Sequence, residues 1–432
     1  MFTPLENLGV IIIDEEHDSS YSSETAPRYN TFDVAYLRAK YNGCKLVLGS
    51  ATPAVDTYKR AIDGEFGLIR LEKRINRKPL PEIVIADMRR EVRRGNNSAF
   101  SAALREELDK CLKEGNQASL FLNRRGSSRM LLCGECGEVP ECPRCSVPMT
   151  YHSANGRLMC HYCGHSEPAY ERCPQCGGIM KHIGTGTQKV EEELHTLFPG
   201  AKVLRMDTDT VGASHGHEKL LRQFEEEKIP ILLGTQMVAK GLDFENVTLV
   251  GVLCADASLY IDNYRAPERT FSLLSQVVGR AGRGSKQGRA IIQTFTPENE
   301  VIRAAAAQDY DAFYESEIRM RRLRRYPPFA DLFSFTVTGA DESRVIRAAK
   351  ALRDALGYAV ERREELKPLS IEVLGPAGAS VVKVNNRYRY RVFLVGKSCP
   401  ALRRLVAEYL YAFYQHKENR GLDIFADCNA IQ

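Results

Sequence analysis

Residues 10–17 read Val-Ile-Ile-Ile-Asp-Glu-Glu-His, so four β-branched apolar residues run directly into three acidic side chains and a histidine. A short, wholly apolar run predicts a strand buried on both faces, as in a parallel sheet. Acidic residues at the carboxyl end of such a strand face the crevice where α/β sheets bind ligands, and an Asp there can hold Mg²⁺ for phosphoryl transfer. They also end many ordinary strands. The stretch predicts an α/β protein, with Asp14, Glu15 and His17 as candidate catalytic residues.

The same alternation of short apolar runs and amphipathic, charged stretches continues along the chain. Further predicted strands are Lys45–Leu48, Ser119–Leu122, Lys202–Met206, Ile231–Leu233, Thr248–Leu253 and Ala290–Thr294. Predicted helices are Phe32–Lys40, Ala102–Glu114, Thr187–Leu197, His217–Glu227, Pro267–Val278 and Asn299–Leu323. Apolar strands separated by helices indicate parallel sheets that are covered on both faces.

Polar and proline-rich stretches suggest the domain boundaries. We predict part of a first parallel-sheet lobe at 1–96, a second lobe at 97–325 with a cysteine-rich insertion at 131–179, and an α+β domain at 326–432. The first boundary lies within the polar stretch 93–97, and the last coincides with Tyr326-Pro327-Pro328. In the final domain we expect strands at Leu332–Thr338, Ser370–Leu374 and Arg387–Leu394, and helices at Glu342–Leu366 and Pro400–His416.

Composition narrows the class of protein. The 432 residues are 44% hydrophobic, and none of their apolar runs approaches the ~20 residues of a membrane span. No secretory signal pattern precedes the first strand, so we expect a cytoplasmic protein without a membrane partner. The net charge is only +5, but residues 319–391 hold sixteen Lys and Arg against eight Asp and Glu. A nucleic-acid backbone is a suitable partner for this basic region, although Arg-rich surfaces often serve only solubility.

Eight of the 13 cysteines form four C-x-x-C pairs between Cys133 and Cys176. In a long chain without an export signal this pattern favours metal over disulfides, and eight thiolates suffice for two closed tetrahedral Zn²⁺ sites. Consecutive, crossed and nested pairings are all possible. The 14 residues between the inner pairs favour nesting, with Cys133, Cys136, Cys173 and Cys176 in zinc site 1 and Cys142, Cys145, Cys160 and Cys163 in zinc site 2. We interpret His152, His161 and His165 as surface residues. Closed sites of this kind are structural.

Three further motifs accompany the acidic stretch. Gly49-Ser50-Ala51-Thr52-Pro53 ends the second predicted strand, and residues 234–244, Gly-Thr-Gln-Met-Val-Ala-Lys-Gly-Leu-Asp-Phe, follow another. Residues 276–284 read Gln-Val-Val-Gly-Arg-Ala-Gly-Arg-Gly. Two arginines three residues apart lie on one face of a helical turn and could neutralise a γ-phosphate, while the alternative is an ordinary basic helix end.

In this order the four motifs resemble motifs II, III, V and VI of superfamily 2 helicases. With Phe121-Leu122-Asn123-Arg124-Arg125-Gly126 and the inserted cysteine block, the chain resembles the PriA family of replication-restart helicases, also called primosomal protein N′. The resemblance implies two RecA-like lobes, the first incomplete, two Zn²⁺ ions, and ATP with Mg²⁺. It also implies 3′→5′ DNA unwinding at stalled forks, with forked and single-stranded DNA, other primosome proteins and single-stranded DNA-binding protein as partners.

The resemblance also implies roles for individual residues. Asp14 would hold Mg²⁺, Glu15 would activate the attacking water, and His17, Ser50 and Thr52 would couple the nucleotide to DNA. From the second lobe, Gln276, Arg280 and Arg283 would reach the phosphates, Gly241 and Asp243 would line the nucleotide, and Thr235 would face DNA. The loop after His17 would contact single-stranded DNA through Tyr21, Arg28 and Tyr29, since it has no tryptophan.

One departure from the family pattern limits the expected activity. Only 13 residues precede Asp14, and no G-x-x-x-x-G-K-S/T phosphate-binding loop occurs in the sequence. We therefore expect the chain to be the C-terminal portion of such a helicase and to be inactive alone. The alternative from another functional class is a non-catalytic zinc scaffold that binds DNA or proteins. An RNA helicase would share the core motifs but not normally the cysteine module.

Arginines and tyrosines alternate from Arg387 to Arg391. In a strand this period of two places Arg387, Arg389 and Arg391 on one face and the intervening tyrosines on the other. We predict that the arginines contact DNA phosphates and that the tyrosines pack inward. The alternative is an ordinary solvated face of a half-buried sheet.

Overall fold

The computed structural model describes residues 2–23, 28–71, 81–122, 130–153, 155–183, 186–207, 216–235, 244–282 and 286–429. In chain order its strands are β1 (Val10–Ile13), β2 (Lys45–Leu48), β3 (Glu82–Asp87), β4 (Gln117–Phe121), β5 (Met130–Cys133), β6 (Thr150–His152), β7 (Arg157–Met159), β8 (Ser166–Pro168), β9 (Met180–Ile183), β10 (Val203–Met206), β11 (Ile231–Gly234), β12 (Val247–Val252), β13 (Arg289–Thr294), β14 (Asp331–Gly339), β15 (Glu372–Val384), β16 (Arg387–Gly396) and β17 (Asp423–Cys428).

The helices in the described part of the chain surround these strands. They are α1 (Thr31–Asn42), α2 (Val55–Ile62), α3 (Met88–Arg93), α4 (Ala102–Lys113), α5 (Thr187–Leu197), α6 (Gly216–Glu226), α7 (Asp256–Leu259), α8 (Ala266–Val278), α9 (Glu300–Ala307), α10 (Tyr310–Leu323), α11 (Glu342–Arg362) and α12 (Pro400–Gln415). None of them is long and apolar enough to cross a membrane.

The two parallel sheets differ in size. β1 and β2 form a two-stranded sheet, with Val10 beside Lys45. The larger sheet has six parallel strands in the order β10-β11-β4-β12-β13-β3. Its strands bury side chains on both faces, because Leu232 belongs to the apolar cluster under α6, α8 and α9, whereas Ile231 and Leu233 belong to the cluster under α4 and α5. The α/β class is confirmed, and the larger of the two parallel sheets is covered on both faces.

The pairing of β3 contradicts the boundary that we predicted between residues 96 and 97. β3 pairs with β13 along its whole length, with Glu82 beside Arg289 and Asp87 beside Thr294, so it belongs to the larger sheet. The polar stretch at 93–97 is only a connection from α3 to α4, whose N-cap is Ser101. A strand sequence does not specify its partner, so the sequence pattern could not assign β3 to a sheet.

The helix predicted over Asn299–Leu323 is two helices. α9 ends at Ala307, Gln308 adopts a left-handed conformation with φ +52°, and Asp309 caps α10 by accepting a hydrogen bond from the Ala312 N–H. Asp is a favoured N-cap because its carboxylate accepts from a backbone N–H that the helix leaves unpaired. Both helices pack against α8, but α9 also contacts β3 whereas α10 contacts α2.

The cysteine-rich segment is inserted into the second lobe, between β4 and α5. β5 and β9 pair antiparallel where the segment leaves and rejoins the lobe, and β6, β7 and β8 form a small antiparallel sheet beyond them. We call residues 130–183 the zinc module.

The C-terminal domain is an antiparallel sheet in the order β15-β16-β14-β17, with α11 and α12 packed on one face. β15 extends to Val384, ten residues beyond the predicted end of this strand, and β17 was not predicted. Short apolar stretches such as Ile424-Phe425-Ala426 carry too little periodicity to be recognised without their sheet neighbours. The α+β class predicted for this domain is confirmed.

Candidate functional site at the junction of the two lobes

The acidic pair lies at the carboxyl end of β1, on the exposed edge of the small sheet. The Glu15 N–H donates to Asp14 Oδ1 at 2.9 Å, and Tyr21 Oη donates to the Asp14 carbonyl at 2.8 Å. Gly49 lies beside Asp14 on the β2 side, where a Cβ would stand 3.3 Å from Asp14 Oδ1. Both carboxylates are accessible to solvent, as carboxylates that hold a hydrated Mg²⁺ must be.

His17 links this edge to α8 of the second lobe. Its Nδ1 lies 2.8 Å from Ser50 Oγ, and its Nε2 lies 2.9 Å from Ser272 Oγ and 3.3 Å from Gln276 Nε2. Thr52 Oγ1 joins the same network, 2.9 Å from Ser272 Oγ. A neutral imidazole protonated at Nδ1 fits these contacts, since the amide and hydroxyl groups of α8 then donate to Nε2. We call this set the His17 network.

The structure therefore brings together four residues singled out from three separate motifs: His17, Ser50, Thr52 and Gln276. Ser272 was missed. Its only sequence signal is its place four residues before Gln276, on the same face of α8. Glu15 lies at the border of the network, with its carboxylate 3.6 Å from His17 Nδ1.

A buried charge cluster lies behind the network and also joins the lobes. Arg321 of α10 is 1% exposed and contacts Asp56 at 2.8 Å, Glu268 at 2.7 Å and Glu317 at 2.7 Å. Asp56 belongs to α2 of the first lobe, and Arg265 contacts it at 2.6 Å. Burial alone would raise the pKa of Glu268, but Arg321 and Arg265 hold it at about 2. The Glu268 carboxylate is therefore charged at neutral pH, beside the guanidinium groups of Arg321 and Arg265.

Glu16, the third acid of the motif, has a structural role. Glu16 Oε1 accepts from the Ala54 N–H at 2.5 Å, and Thr57 Oγ1 donates to Oε2 at 3.2 Å, so this side chain caps the start of α2. Burial raises the pKa of Glu16 to about 7.

Other predicted residues of this site are placed less completely. Thr235 is buried directly after β11, and its N–H donates to the Met206 carbonyl at 3.3 Å. Arg280 is partly buried just beyond the end of α8. Gly241, Asp243 and Arg283 lie outside the described residues.

The loop after His17 reaches the C-terminal domain. Arg28 Nη1 donates to Asp427 Oδ2 of β17 at 2.6 Å, and its guanidinium lies 3.9 Å from the centre of the Phe425 ring. Tyr29 packs edge-on against Phe2 at 5.2 Å. Tyr21, as described above, donates a hydrogen bond to the Asp14 carbonyl. Thus all three residues predicted to contact DNA are engaged within the chain.

The arginine row of β16 is also engaged. Arg387 pairs with Asp423, Arg389 Nη2 donates to the Val381 carbonyl at 2.8 Å, and Arg391 is largely covered. Burial, together with Arg389, lowers the pKa of Arg391 to about 10. The row is therefore not freely exposed, because Arg391 is buried near Asp262 of the second lobe and the other two arginines are bonded within the C-terminal domain. The tyrosine prediction is confirmed: Tyr388 and Tyr390 pack against the core under α11.

The eight module cysteines form two clusters in the predicted nested pairing. The sulfurs of each cluster lie within 4.8 Å of one another, with Sγ–Sγ distances of 3.5 Å for Cys133–Cys176, 3.7 Å for Cys136–Cys173 and 3.6 Å for Cys142–Cys163. Tetrahedral Zn²⁺ with bonds of about 2.3 Å requires sulfurs about 3.8 Å apart. The residues fit two Cys₄ zinc sites.

One interpretation about the module was wrong. His161 is only 2% exposed; its Nδ1 donates to the Gly378 carbonyl at 2.6 Å, and its Nε2 lies 3.1 Å from His152 Nε2. The sequence predicts a surface residue because the eight thiolates leave no ligand role for a histidine, and it gives no sign that the module packs against the C-terminal domain.

Family models match three parts of the chain. Residues 142–168 match the PriA DNA helicase Cys-rich region domain, residues 183–285 the helicase conserved C-terminal domain, and residues 322–429 the primosomal protein N C-terminal domain. The last match begins close to the boundary predicted at residue 326.

Curated relatives cover almost the whole chain. The replication restart protein PriA of Bacillus subtilis is 45% identical over 430 residues, which are 99% of this chain and 52% of that protein. The same protein of Synechocystis is 41% identical over 91% of this chain and 48% of its own length, and that of Treponema pallidum is 38% identical over 96% and 61%. The chain spans about half the length of the first of these relatives. The chain belongs to the PriA family of replication restart helicases.

Proposed function

We propose that this chain provides the catalytic acids of one lobe, and the second lobe, of an ATP-dependent 3′→5′ DNA helicase that acts at stalled replication forks. The observation that carries the proposal is the His17 network. It connects the acidic edge of β1 to α8 through hydrogen bonds of 2.8–3.3 Å. Such a connection is what a motor needs to turn a change at the phosphate into a movement between lobes.

Within this proposal each side chain has a distinct task. Bound ATP with Mg²⁺ would supply the phosphoryl group and the charge that activates it. Asp14 would hold the metal, and Glu15 would orient the attacking water from its exposed position. Because the Glu15 carboxylate lies 3.6 Å from His17 Nδ1, a change at Glu15 would alter the hydrogen bonds to Ser272 and Gln276. Arg280 and Arg283 would complete the site from the second lobe.

We propose forked and single-stranded DNA as the substrates, and primosome proteins with single-stranded DNA-binding protein as partners. The basic surplus in residues 319–391 and the family membership support this. In the structure without DNA, Arg28 pairs with Asp427 and Arg387 pairs with Asp423, and both aspartates lie on β17. DNA phosphates would replace these carboxylates, so binding is expected to weaken strongly with salt.

ATP hydrolysis by two proteins tests the proposal. The chain alone should show no DNA-stimulated turnover, because it has no P-loop sequence to hold the β- and γ-phosphates. A fusion carrying the segment that precedes the matched region in the Bacillus subtilis relative should hydrolyse ATP when single-stranded DNA is added. In that fusion, Glu15→Gln should lower the rate about 10²-fold or more, as expected for loss of a catalytic base, and Asp18→Asn should not.

The second candidate is a non-catalytic zinc scaffold, and the missing phosphate-binding loop sequence favours it for the chain as printed. The same fusion separates the two functions. A fusion that is folded, contains two zinc ions and binds forked DNA, yet shows no ATP hydrolysis, would contradict the helicase proposal and support the scaffold.

A further inference from the structure

Four tight turns hold the two zinc sites, and the residue after the second cysteine of each has a positive φ. The values are +81° at Gly137, +48° at Ser146, +78° at Gly164 and +74° at Gly177. We name these turns after those residues. Zinc site 1 contains turns 137 and 177, and zinc site 2 contains turns 146 and 164. The turns therefore share a backbone shape, but they differ in their surroundings.

Turn 137 is pressed against the second lobe. A Cβ built on Gly137 would stand 2.5 Å from the Phe295 carbonyl oxygen, directly after β13. Helix α3 holds the same turn from the side, because Arg93 Nη2 donates to the Glu135 carbonyl at 2.7 Å and Arg89 Nη1 donates to the Cys136 carbonyl at 3.3 Å. These partners lie on α3 or directly after β13, so all of them belong to the second lobe.

Turn 164 is pressed against the C-terminal domain. A Cβ on Gly164 would stand 2.6 Å from the Pro376 carbonyl oxygen of β15. Within the same turn, His161 Nδ1 donates to the Gly378 carbonyl at 2.6 Å, and the Tyr162 ring stacks on Phe393 of β16 at 5.3 Å. Tyr162 Oη also accepts from the backbone N–H of Tyr264 at 3.2 Å, so this side of the module contacts the body of the second lobe as well.

The other two turns are exposed. No described atom lies within 4 Å of a Cβ built on Gly177, and the fourth turn already carries a side chain, Ser146. Each zinc site thus has one exposed turn and one turn covered by another domain. The covering domain is different for the two sites.

We propose that the zinc module is a connector in which each metal site positions a different domain: zinc site 1 holds the module on the second lobe through Gly137, and zinc site 2 holds the C-terminal domain through Gly164. The metal fixes the shape of each turn, and the missing side chain lets the turn approach a backbone carbonyl. Gly137 and Gly164 are positioning residues. This inference does not depend on ATP hydrolysis or DNA binding.

The proposal can be tested by adding a side chain that cannot fit at these glycines. Real Cβ atoms essentially never approach a backbone oxygen closer than 3.0 Å, so an alanine at either glycine forces the turn away from its carbonyl partner. An alanine at positive φ also strains the turn itself. Gly177→Ala carries that strain without the contact, and is therefore the matched control.

The experiment compares Gly137→Ala, Gly164→Ala and Gly177→Ala in the full chain by metal analysis and amide hydrogen exchange. All three should keep two zinc ions. Gly164→Ala should speed exchange about tenfold or more in residues 372–384 while leaving residues 289–297 unchanged, and Gly137→Ala should do the reverse. Gly177→Ala should change neither segment.

Several outcomes would overturn the proposal. One is that Gly137→Ala and Gly164→Ala exchange as slowly as the Gly177→Ala control in both segments. Another is that both variants speed exchange in the same segment. Loss of zinc in Gly137→Ala or Gly164→Ala, but not in the control, would mean that these glycines serve metal binding instead. If an alanine variant does not fold, two other variants replace it: Arg93→Ala removes a contact of turn 137, and Phe393→Leu removes a contact of turn 164. Arg93→Ala should then speed exchange only in residues 289–297, and Phe393→Leu only in residues 372–384.

Discussion

The small and large parallel sheets are built from similar sequences but differ in burial. In β1, Val10 is 48% and Ile12 is 68% exposed, and Val47 of β2 is 48% exposed. In β11, by contrast, Ile231, Leu232 and Leu233 are all fully buried. β11 has a neighbouring strand on each side and helices on both faces, whereas β1 pairs only with β2 among the described strands. An apolar strand sequence thus indicates that the strand is suited to burial. Whether the strand is buried depends on the neighbouring strands and helices that pack against it.

The zinc module offers the largest expected contrast with these sheets, because it is a small segment whose turns depend on metal. Cys163→Ser or Cys176→Ser should lower the zinc content from two ions to one and unfold the affected site. Each structural site contributes roughly 10 kcal/mol or more of binding free energy to folding. Metal analysis and exchange of the module amides measure the effect, with Cys44→Ser, outside the module, as control. Two zinc ions in either cysteine variant would refute the assignment.

Breaking the buried charge cluster should have the next largest effect, because it connects the small sheet to the large one. Arg321→Ala leaves Asp56, Glu268 and Glu317 without their shared cation. The loss of one partner from a buried ion pair costs about 3–5 kcal/mol. Urea unfolding followed by tyrosine fluorescence would measure it, since the chain has no tryptophan.

The adjacent Arg322→Ala is the control for Arg321→Ala, because Arg322 is exposed. It should change stability by no more than about 0.5 kcal/mol. Equal effects of the two substitutions would show that the cluster contributes nothing special to stability.

A matched pair of strand substitutions tests the sheet comparison directly. Leu232→Ala should cost about 2–5 kcal/mol, because it leaves a cavity in a packed core. Ile12→Ala should cost at most about 0.5 kcal/mol, since its side chain is already mostly in water. Both values come from urea midpoints at constant slope. If Ile12→Ala costs as much as Leu232→Ala, the small sheet is covered in solution and the comparison fails.

The last prediction concerns pH and Glu16, which joins β1 to α2. Burial raises the pKa of Glu16 from 4.5 to about 7, so the folded state binds this proton more tightly than the unfolded state does. The stability that the protonated group contributes is therefore complete below pH 4.5 and is lost as the pH rises through about 7. The slope is up to about 1.4 kcal/mol per pH unit between these values.

Glu16→Gln removes this titration while keeping an amide oxygen for the Ala54 N–H. The difference in stability between the two proteins, measured by urea unfolding from pH 4.5 to 7.5, should change in that window. A difference that is flat with pH would show that Glu16 titrates normally.

Local patterns determined a large part of this protein. The eight cysteines lie in C-x-x-C pairs whose spacing favoured the nested arrangement, and the apolar runs of β1, β2 and β11 marked the strands with bounds close to those found. The acidic end of β1 marked the candidate site, because polar residues at a strand end are recognisable from four or five neighbours. Each of these features depends on residues that are close in sequence.

Only the tertiary structure decided which distant elements meet. Ser272 joins His17 across 255 residues, β3 belongs to the large sheet rather than the small one, and Arg391 and His161 are covered by other domains. Spacing carries no information on such contacts, because the side chains involved would suit solvent equally well. The sequence determined the elements and the metal ligands through short-range chemistry, whereas burial, pairing and the junctions between domains followed from how those elements pack.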